Sequence, residues 1–331
     1  MKAIRLHRPG AIEGNPLRSE EVADPHPREG QLLLKVLASG ICRTDLHIIE
    51  GDIQPPRFPL TLGHQVVGEV VAIGTAVKGW TLGERAGVPW LHIACNTCSH
   101  CLRGEENLCR EAEFTGFHVD GGYAEAILAQ AEYALKIPLG IREEDVAPML
   151  CAGIVGYRSL HKSDLQPGER LGLVGFGASA HLVIQVAVHW GNEVYVFTRS
   201  RGHQALAKRL GAAWVGDTEG QAPKLLDRAI IFAPVGSLVP TMLTKLRPGG
   251  TLALNAIHMT PIPEFPYRLI WEERTLRSVA NATYQDGVDF LELAAEVPVR
   301  AHIERYTLEQ ANEALKDMKE SRIDGAGVLI P

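Results

Sequence analysis

The stretch Arg170-Leu171-Gly172-Leu173-Val174, followed at once by Gly175-Phe176-Gly177-Ala178-Ser179-Ala180, restricts the fold of this 331-residue chain more than any other. The first five residues read as a buried strand. Val183, Ile184, Val186, Ala187 and Trp190 then recur as a helix face able to pack on a sheet, and a second strand is expected over Glu193–Phe197. Strand, glycine turn, helix and strand make a βαβ unit, the setting in which G-x-G-x-x-G/A points to dinucleotide binding rather than to an ordinary turn. Gly175 permits the tight turn. Gly177 lets backbone N–H groups approach a pyrophosphate, whose charge a helix N-terminus favours. Ala180 takes the third glycine's place and is still small enough for close helix–strand packing. Strand and helix keep alternating through 228–233 and 251–257 to 277–280, the rhythm of a doubly wound parallel sheet.

Upstream the pattern differs. The first 130 or so residues are short alternating stretches broken by Gly and Pro, which predicts an all-β region with twisted sheets and long loops. The clearest strands are 31–38, Val66–Ile73 and 123–128, and Met1 to Arg5 already alternates. From Glu143 the period lengthens: Val146, Met149, Leu150, Ile154 and Tyr157 fall at helical spacings, with Gly153 and Gly156 arguing against one continuous helix. Towards the C-terminus, 286–295 reads as helix. Thr307 and Gln310 fit a capping box for a helix reaching about Lys319, and Val328-Leu329-Ile330 reads as a closing strand.

Cysteine usage carries the chemistry. Four of the six cysteines, Cys95, Cys98, Cys101 and Cys109, follow Trp90-Leu91-His92 in the spacing C-x2-C-x2-C-x7-C. Four thiolates from one loop can close a tetrahedral zinc shell with no open position, which makes a structural site. His100 lies among them, but four sulfurs already complete the shell. Four reduced surface thiols on one loop would otherwise be an oxidation hazard without a rationale. A second metal pattern lies in Cys42-Arg43-Thr44-Asp45-Leu46-His47 and Gly63-His64-Gln65. A catalytic zinc takes three protein ligands and keeps one position open; Cys42 and His64 supply two, and the hydroxyl of Thr44 sits beside the first. Without Cys42, the residues Thr44, Asp45 and His47 would read as a polar turn. Cys151, set among Leu, Ala and Ile, reads by itself as a small core residue.

A net charge of −6 gives no reason to expect nucleic acid or an anionic membrane as partner. No apolar run is long enough to span a bilayer, and the N-terminus lacks a signal-peptide pattern, so a cytoplasmic location is expected.

In this order, the motifs resemble those of the zinc-containing alcohol dehydrogenases of the medium-chain dehydrogenase/reductase superfamily, along essentially the whole chain. The resemblance implies a GroES-like β catalytic domain over residues 1–153, with the structural zinc loop 95–109, completed by 286–331. An inserted Rossmann domain with a doubly wound parallel sheet is expected over 154–285, with the active-site cleft between the two domains. It also implies Cys42, His64 and Cys151 as the catalytic zinc ligands, hence two zinc ions per chain. Arg43 is similar to a residue that contacts the cofactor pyrophosphate, and Thr44 to the hydroxyl that bonds the substrate oxygen. His47 matches the distal end of a proton relay through the cofactor ribose, and Asp45 the carboxylate that holds His64. Trp90 resembles a residue lining the pocket for a small-molecule alcohol or aldehyde, with Ile53 and Phe117 beside it. The implied reaction is reversible NAD(P)-linked oxidation of a primary or secondary alcohol, by a homodimer or homotetramer.

Three positions depart from the family pattern. Gln65 stands where glutamate usually follows the histidine, which removes a negative charge near the metal. Asp324-Gly325-Ala326-Gly327 lacks an arginine that many members use on the pyrophosphate. The second strand of the βαβ unit ends in Phe197-Thr198-Arg199-Ser200, with no acid to accept from a ribose 2′-hydroxyl. An arginine flanked by hydroxyls suits a 2′-phosphate, which puts NADP ahead of NAD; otherwise Arg199 is a solvated loop residue. Two other classes compete: a zinc-free quinone or enoyl reductase of the same superfamily, and a non-enzymatic zinc-binding interaction module. The six cysteines weigh against the first. The coexistence of Cys42, His64 and the βαβ fingerprint weighs against the second.

Overall fold

The computed structural model describes Met1–Pro331. Two compact units divide it: Met1–Cys151 with Ala282–Ala295 and Ala301–Pro331, and Ala152–Asn281 with Glu296–Arg300. The second unit is built on six parallel strands in the spatial order Trp214–Gly216, Glu193–Phe197, Arg170–Val174, Leu226–Ile231, Leu246–Leu254 and Thr275–Ser278. Leu171, Leu173, Val194, Val196, Ile230 and Ile231 are fully buried. Such unbroken apolar runs are what a parallel sheet covered on both faces requires. Two strands lie a few residues earlier than the periodicity suggests, at Leu226–Ile231 and Thr275–Ser278 rather than 228–233 and 277–280. The strand expected over 251–257 runs instead over Leu246–Leu254.

In the first unit, the strand Gln31–Gly40 is the hub. It pairs antiparallel with Val66–Ile73, Ala126–Gln130 and Ala326–Ile330, and its register shifts at Leu33/Leu34 and Val36/Ala38 let one strand serve several neighbours. Its inward residues Leu32, Leu34 and Val36 pack with Val66, Val70, Val88 and Ile127 into one core. The strand expected at 123–128 starts later, at Ala126; Tyr123 and Ala124 are held by Ile4 N–H to Tyr123 O, Tyr123 N–H to Leu62 O and an Ala3–Ala124 bridge.

Two local expectations change. Residues Arg43–Glu50 form a helix inside the region expected to be all-β. The chain after Glu143 breaks at Cys151 and not at its glycines: Glu143–Val146 is α-helical, Ala147–Leu150 a 3-10 turn, and Ala152–Lys162 an unbroken α-helix. Gly156 is there for packing, because a Cβ on it would stand 2.5 Å from Val183 Cγ1 on the helix Ala178–His189. The capping box of Thr307 and Gln310 is present; it opens a 3-10 turn, Leu308–Gln310, that leads into the helix Ala311–Lys319. No helix is long and apolar enough to cross a membrane.

Candidate metal centre

Cys42 is the N-cap of the helix Arg43–Glu50, and Asp45 is its third residue. Asp45 reaches back to accept the Cys42 backbone N–H at 2.8 Å, a capping-box contact that fixes the sulfur-bearing residue against the helix start. The same carboxylate is wholly buried, so each of its oxygens needs partners. Oδ2 also accepts the Tyr123 hydroxyl at 2.9 Å, and Oδ1 accepts the Gly63 N–H at 3.4 Å. Oδ1 lies 3.3 Å from His64 Nδ1. Burial, followed by the Asp45 charge, pushes the Tyr123 phenol well above its usual range, which keeps it a donor. Gly63 makes this approach possible: its φ is +94°, and a Cβ there would stand 2.4 Å from Tyr123 Cδ1.

Cys151 comes to the same point from the break after the 3-10 turn. One ligand atom each from Cys42, His64 and Cys151 lies within 4.8 Å of the others. His64 is buried and neither ring nitrogen completes a hydrogen bond, although Nδ1 lies 3.3 Å from Asp45 Oδ1. Leaving a buried imidazole so unsatisfied is costly unless a cation takes its lone pair. Two thiols and an imidazole are the donor set of a zinc that keeps a fourth position open, so the residues fit the group.

Protonation in the cluster is strongly redistributed. The Cys42 thiol is held well below its ordinary range by the hydrogen bond from Cys151, against burial and with help from His64. Cys151 is pushed well above its range by the same bond and by burial. Burial works to lower the His64 pKa, but Asp45 and Cys42 outweigh it and hold the ring at about 10. Protons and a divalent cation therefore compete for the same three atoms, and metal binding would release protons.

Around this cluster, Thr44 Oγ1 lies 3.6 Å from Cys42 Sγ. His47 is one helical turn further on, on the same helix face as Thr44. Arg43 is exposed and donates to Met318 O at 3.4 Å. Trp90 sets its ring edge-on to His64 at 4.7 Å and stacks on Phe114 at 5.1 Å, with Phe117 at 5.9 Å. Ile53 and Phe117 border the same apolar cluster as Trp90. Gln65 is buried against Gly40, where a Cβ would come within 3.1 Å of its side chain. A neutral amide suits that enclosure better than a carboxylate would.

The four-cysteine loop is likewise drawn together. Sγ–Sγ distances are 3.5 Å for Cys98–Cys101 and Cys95–Cys109, and 3.8 Å for Cys95–Cys101. Backbone N–H groups of Thr97 and Cys98 pull the Cys95 thiol down to about 6, whereas burial and the Cys98 thiol push Cys101 up to about 12. His100 turns to Glu105 at 3.1 Å, outside the sulfur shell. The loop is moored by Tyr133 Oη to Asn96 Oδ1 at 2.6 Å and by Tyr284 N–H to Glu106 Oε1 at 2.7 Å.

In the second unit, Gly175 has φ +85° and sits against Ala233 N. Gly177 is the N-cap of the helix Ala178–His189, and a Cβ on it would meet nothing within 4 Å, so the helix N-terminus faces open space. Ala180 is fully buried. At the end of Glu193–Phe197, Thr198 is tied to the next strand through Gly216 O, and Arg199 is exposed. Ser200 accepts the His203 N–H at 3.3 Å as N-cap of Arg201–Arg209, a structural use of the hydroxyl that the sequence reading did not foresee. Asp217, just past the neighbouring strand, turns its carboxylate onto the Gly220 N–H.

Sequence reasoning passed over Tyr123 and Asp52. Tyr123 read as the start of a strand, and nothing local marks it as a partner of Asp45. Asp52 follows the helix-stopping Gly51, and its carboxylate Oδ2 meets His47 Nδ1 at 2.7 Å.

Residues 28–139 match the family model described as alcohol dehydrogenase GroES-like domain, and residues 180–296 the one described as zinc-binding dehydrogenase. The chain is 44% identical to the "Probable alcohol dehydrogenase AdhA" of Mycobacterium tuberculosis, over 100% of this chain and 97% of the relative. A cinnamyl alcohol dehydrogenase from Sorghum bicolor superposes with a TM-score of 0.92 at 26% identity, covering 99% of this chain and 97% of that one. The alcohol dehydrogenase of the archaeon Aeropyrum pernix superposes with a TM-score of 0.89 at 28% identity, with 100% of both chains covered.

Proposed function

Because the chain belongs to the zinc-containing alcohol dehydrogenases of the medium-chain dehydrogenase/reductase superfamily, we propose that Cys42, His64 and Cys151 hold its catalytic zinc. The activity is oxidation of an alcohol, or reduction of the matching carbonyl, with a nicotinamide cofactor. The convergence of two thiols and an unsatisfied buried imidazole within 4.8 Å supports this ligand set. A second zinc belongs to Cys95, Cys98, Cys101 and Cys109, whose four sulfurs leave no open position.

When bound, the zinc supplies Lewis acidity to a substrate oxygen and the nicotinamide takes up hydride. The protein's own groups bind, aim and move protons. Asp45, held by the Tyr123 hydroxyl and two backbone N–H groups, fixes the orientation of His64. Thr44 offers beside the ligand sulfur a hydroxyl that can accept a proton from an alcohol and pass on its own. His47, one turn along the same face, is the terminal base. Trp90, Phe114 and Phe117 form an aromatic wall next to His64, which favours an apolar alcohol.

Gly175, Gly177 and Ala180 receive the cofactor pyrophosphate. Exposed Arg199 next to Thr198 and Ser200 favours a 2′-phosphate, and hence NADP over NAD. Metal analysis with NAD- and NADP-linked oxidation of a panel of primary and secondary alcohols tests the whole reading; a metal-poor chain without alcohol oxidation would refute it. In the same assay Arg199→Asp is expected to lower kcat/KM with NADP by roughly 10-fold or more and to spare NAD. Unchanged NADP use would return Arg199 to an ordinary loop residue.

The edge strand Thr275–Ser278 leaves one row of backbone groups unpaired, and Leu276, Trp271, Tyr267 and Ile262 are exposed along and before it. Such an edge invites pairing with a second copy, which supports a homodimer as the basic assembly, or a tetramer made from two. Trp271→Lys combined with Leu276→Lys is expected to shift the mass seen by light scattering to the monomer; an unaltered mass would put the interface elsewhere.

A further inference from the structure

The helix Arg43–Glu50 ends where Gly51 enters the left-handed region at φ 85°, a conformation that favours glycine. That turn folds the next residue back on the helix. The Asp52 N–H donates to His47 O at 2.9 Å, and Asp52 Oδ2 stands 2.7 Å from His47 Nδ1. The imidazole side chain is 13% exposed and the carboxylate 44%, so the pair runs from a nearly enclosed ring to solvent.

We infer that Asp52 is a positioning residue for His47, holding the proton on Nδ1 so that Nε2 is the nitrogen that accepts the proton of the alcohol. The inference rests on the reading of His47 as the terminal base. A neutral imidazole has two tautomers, and a carboxylate at Nδ1 selects the one with its lone pair on Nε2. The same charge stabilises the imidazolium once it forms. In alcohol oxidation the substrate O–H bond breaks and its proton is handed on to form an N–H bond at Nε2. The ring then returns to neutral by releasing one proton to water. No electrons move along this branch, because the hydride leaves separately to the nicotinamide.

The elements packed on this helix carry their own charges. Lys319 of the helix Ala311–Lys319 pairs with Glu13 and with Glu50, and Lys316 with Asn15. On the helix itself, Arg43 reaches Met318 O.

The test is the pH dependence of kcat/KM for alcohol oxidation by the zinc-loaded enzyme and its Asp52→Asn, Asp52→Glu, Asp52→Ala and His47→Gln variants. His47 must be neutral to accept a proton, so its protonation closes the reaction at low pH. Without the carboxylate charge the imidazolium loses a stabilising partner, and the acid limb of Asp52→Asn is expected to be displaced from that of the parent enzyme. Asp52→Glu is expected to restore most of the limb, and Asp52→Ala to lose roughly 10-fold in kcat at the optimum with little change in cofactor KM. His47→Gln is expected to abolish the limb. If Asp52→Asn leaves the limb in place while His47→Gln removes it, the role of Asp52 is wrong and that of His47 stands. A limb that survives in His47→Gln overturns the reading of His47 and the inference with it. A lower Tm for Asp52→Ala with an unmoved limb also counts against Asp52, as a structural role only.

Discussion

Cys151→Ala is expected to cut alcohol oxidation by at least ~1000-fold, equivalent to about 4 kcal/mol of transition-state stabilisation, and to lower bound zinc from the proposed two ions per chain towards one. Cys42 and His64 alone are two donors where a catalytic zinc needs three. The four sulfurs at Cys95, Cys98, Cys101 and Cys109 would keep their ion, because they share no atom with the altered cluster. Losing one buried sulfur from a chain this size is a small packing defect, on the order of 1 kcal/mol, so the folded state is expected to persist. Zinc content by elemental analysis, read with turnover on the same sample, checks this. Two zinc ions and undiminished turnover in the variant would remove Cys151 from the metal site.

Gly63→Ala is expected to damage the surroundings of His64 without touching a ligand. The new Cβ would stand 2.4 Å from Tyr123 Cδ1 and 3.0 Å from Ser39 Oγ, on a backbone with φ +94°. A left-handed alanine costs ~1–2 kcal/mol and overpacking a further ~1–3 kcal/mol, so the loss is about 3 kcal/mol. For a unit this large, the apparent Tm would fall by on the order of 10 °C. Relief of the clash has to move either Tyr123 or the Gly63–His64 backbone, and each of them supports Asp45 or carries the ligand itself. Faster zinc release to a chelator is therefore expected alongside the lower Tm. Calorimetry and chelator competition measure the two effects. An unchanged Tm together with unchanged release would mean that the loop is more pliant than these contacts imply.

The sheet-forming stretches were legible because burial on both faces demands unbroken apolar runs, as at Leu171–Val174. The capping box at Thr307 and Gln310 was legible because its contacts span three residues. The helix at Arg43–Glu50 was missed although its signal was there: Cys42 with Asp45 three residues on is a capping box written with a sulfur. The break at Cys151 was also misplaced. Gly153 and Gly156 read as helix interruptions, but Gly156 is there to let Val183 approach, a reason that lies on another helix.

By itself, the sequence determined the chemistry on offer: which thiols and imidazoles exist, that four cysteines sit close enough along one loop to share an ion, and that a strand leads through Gly175 and Gly177 into a helix. Those features depend on contacts a few residues apart, which composition and spacing encode. Only the tertiary structure decided that Cys151 meets Cys42 and His64, that Tyr123 supports Asp45, and that Asp52 turns back on His47. The first two unite residues far apart along the chain, and the third depends on the direction a helix end takes. Long-range meetings are set by how whole sheets and helices pack, and the local pattern around any one of these residues is compatible with many such packings.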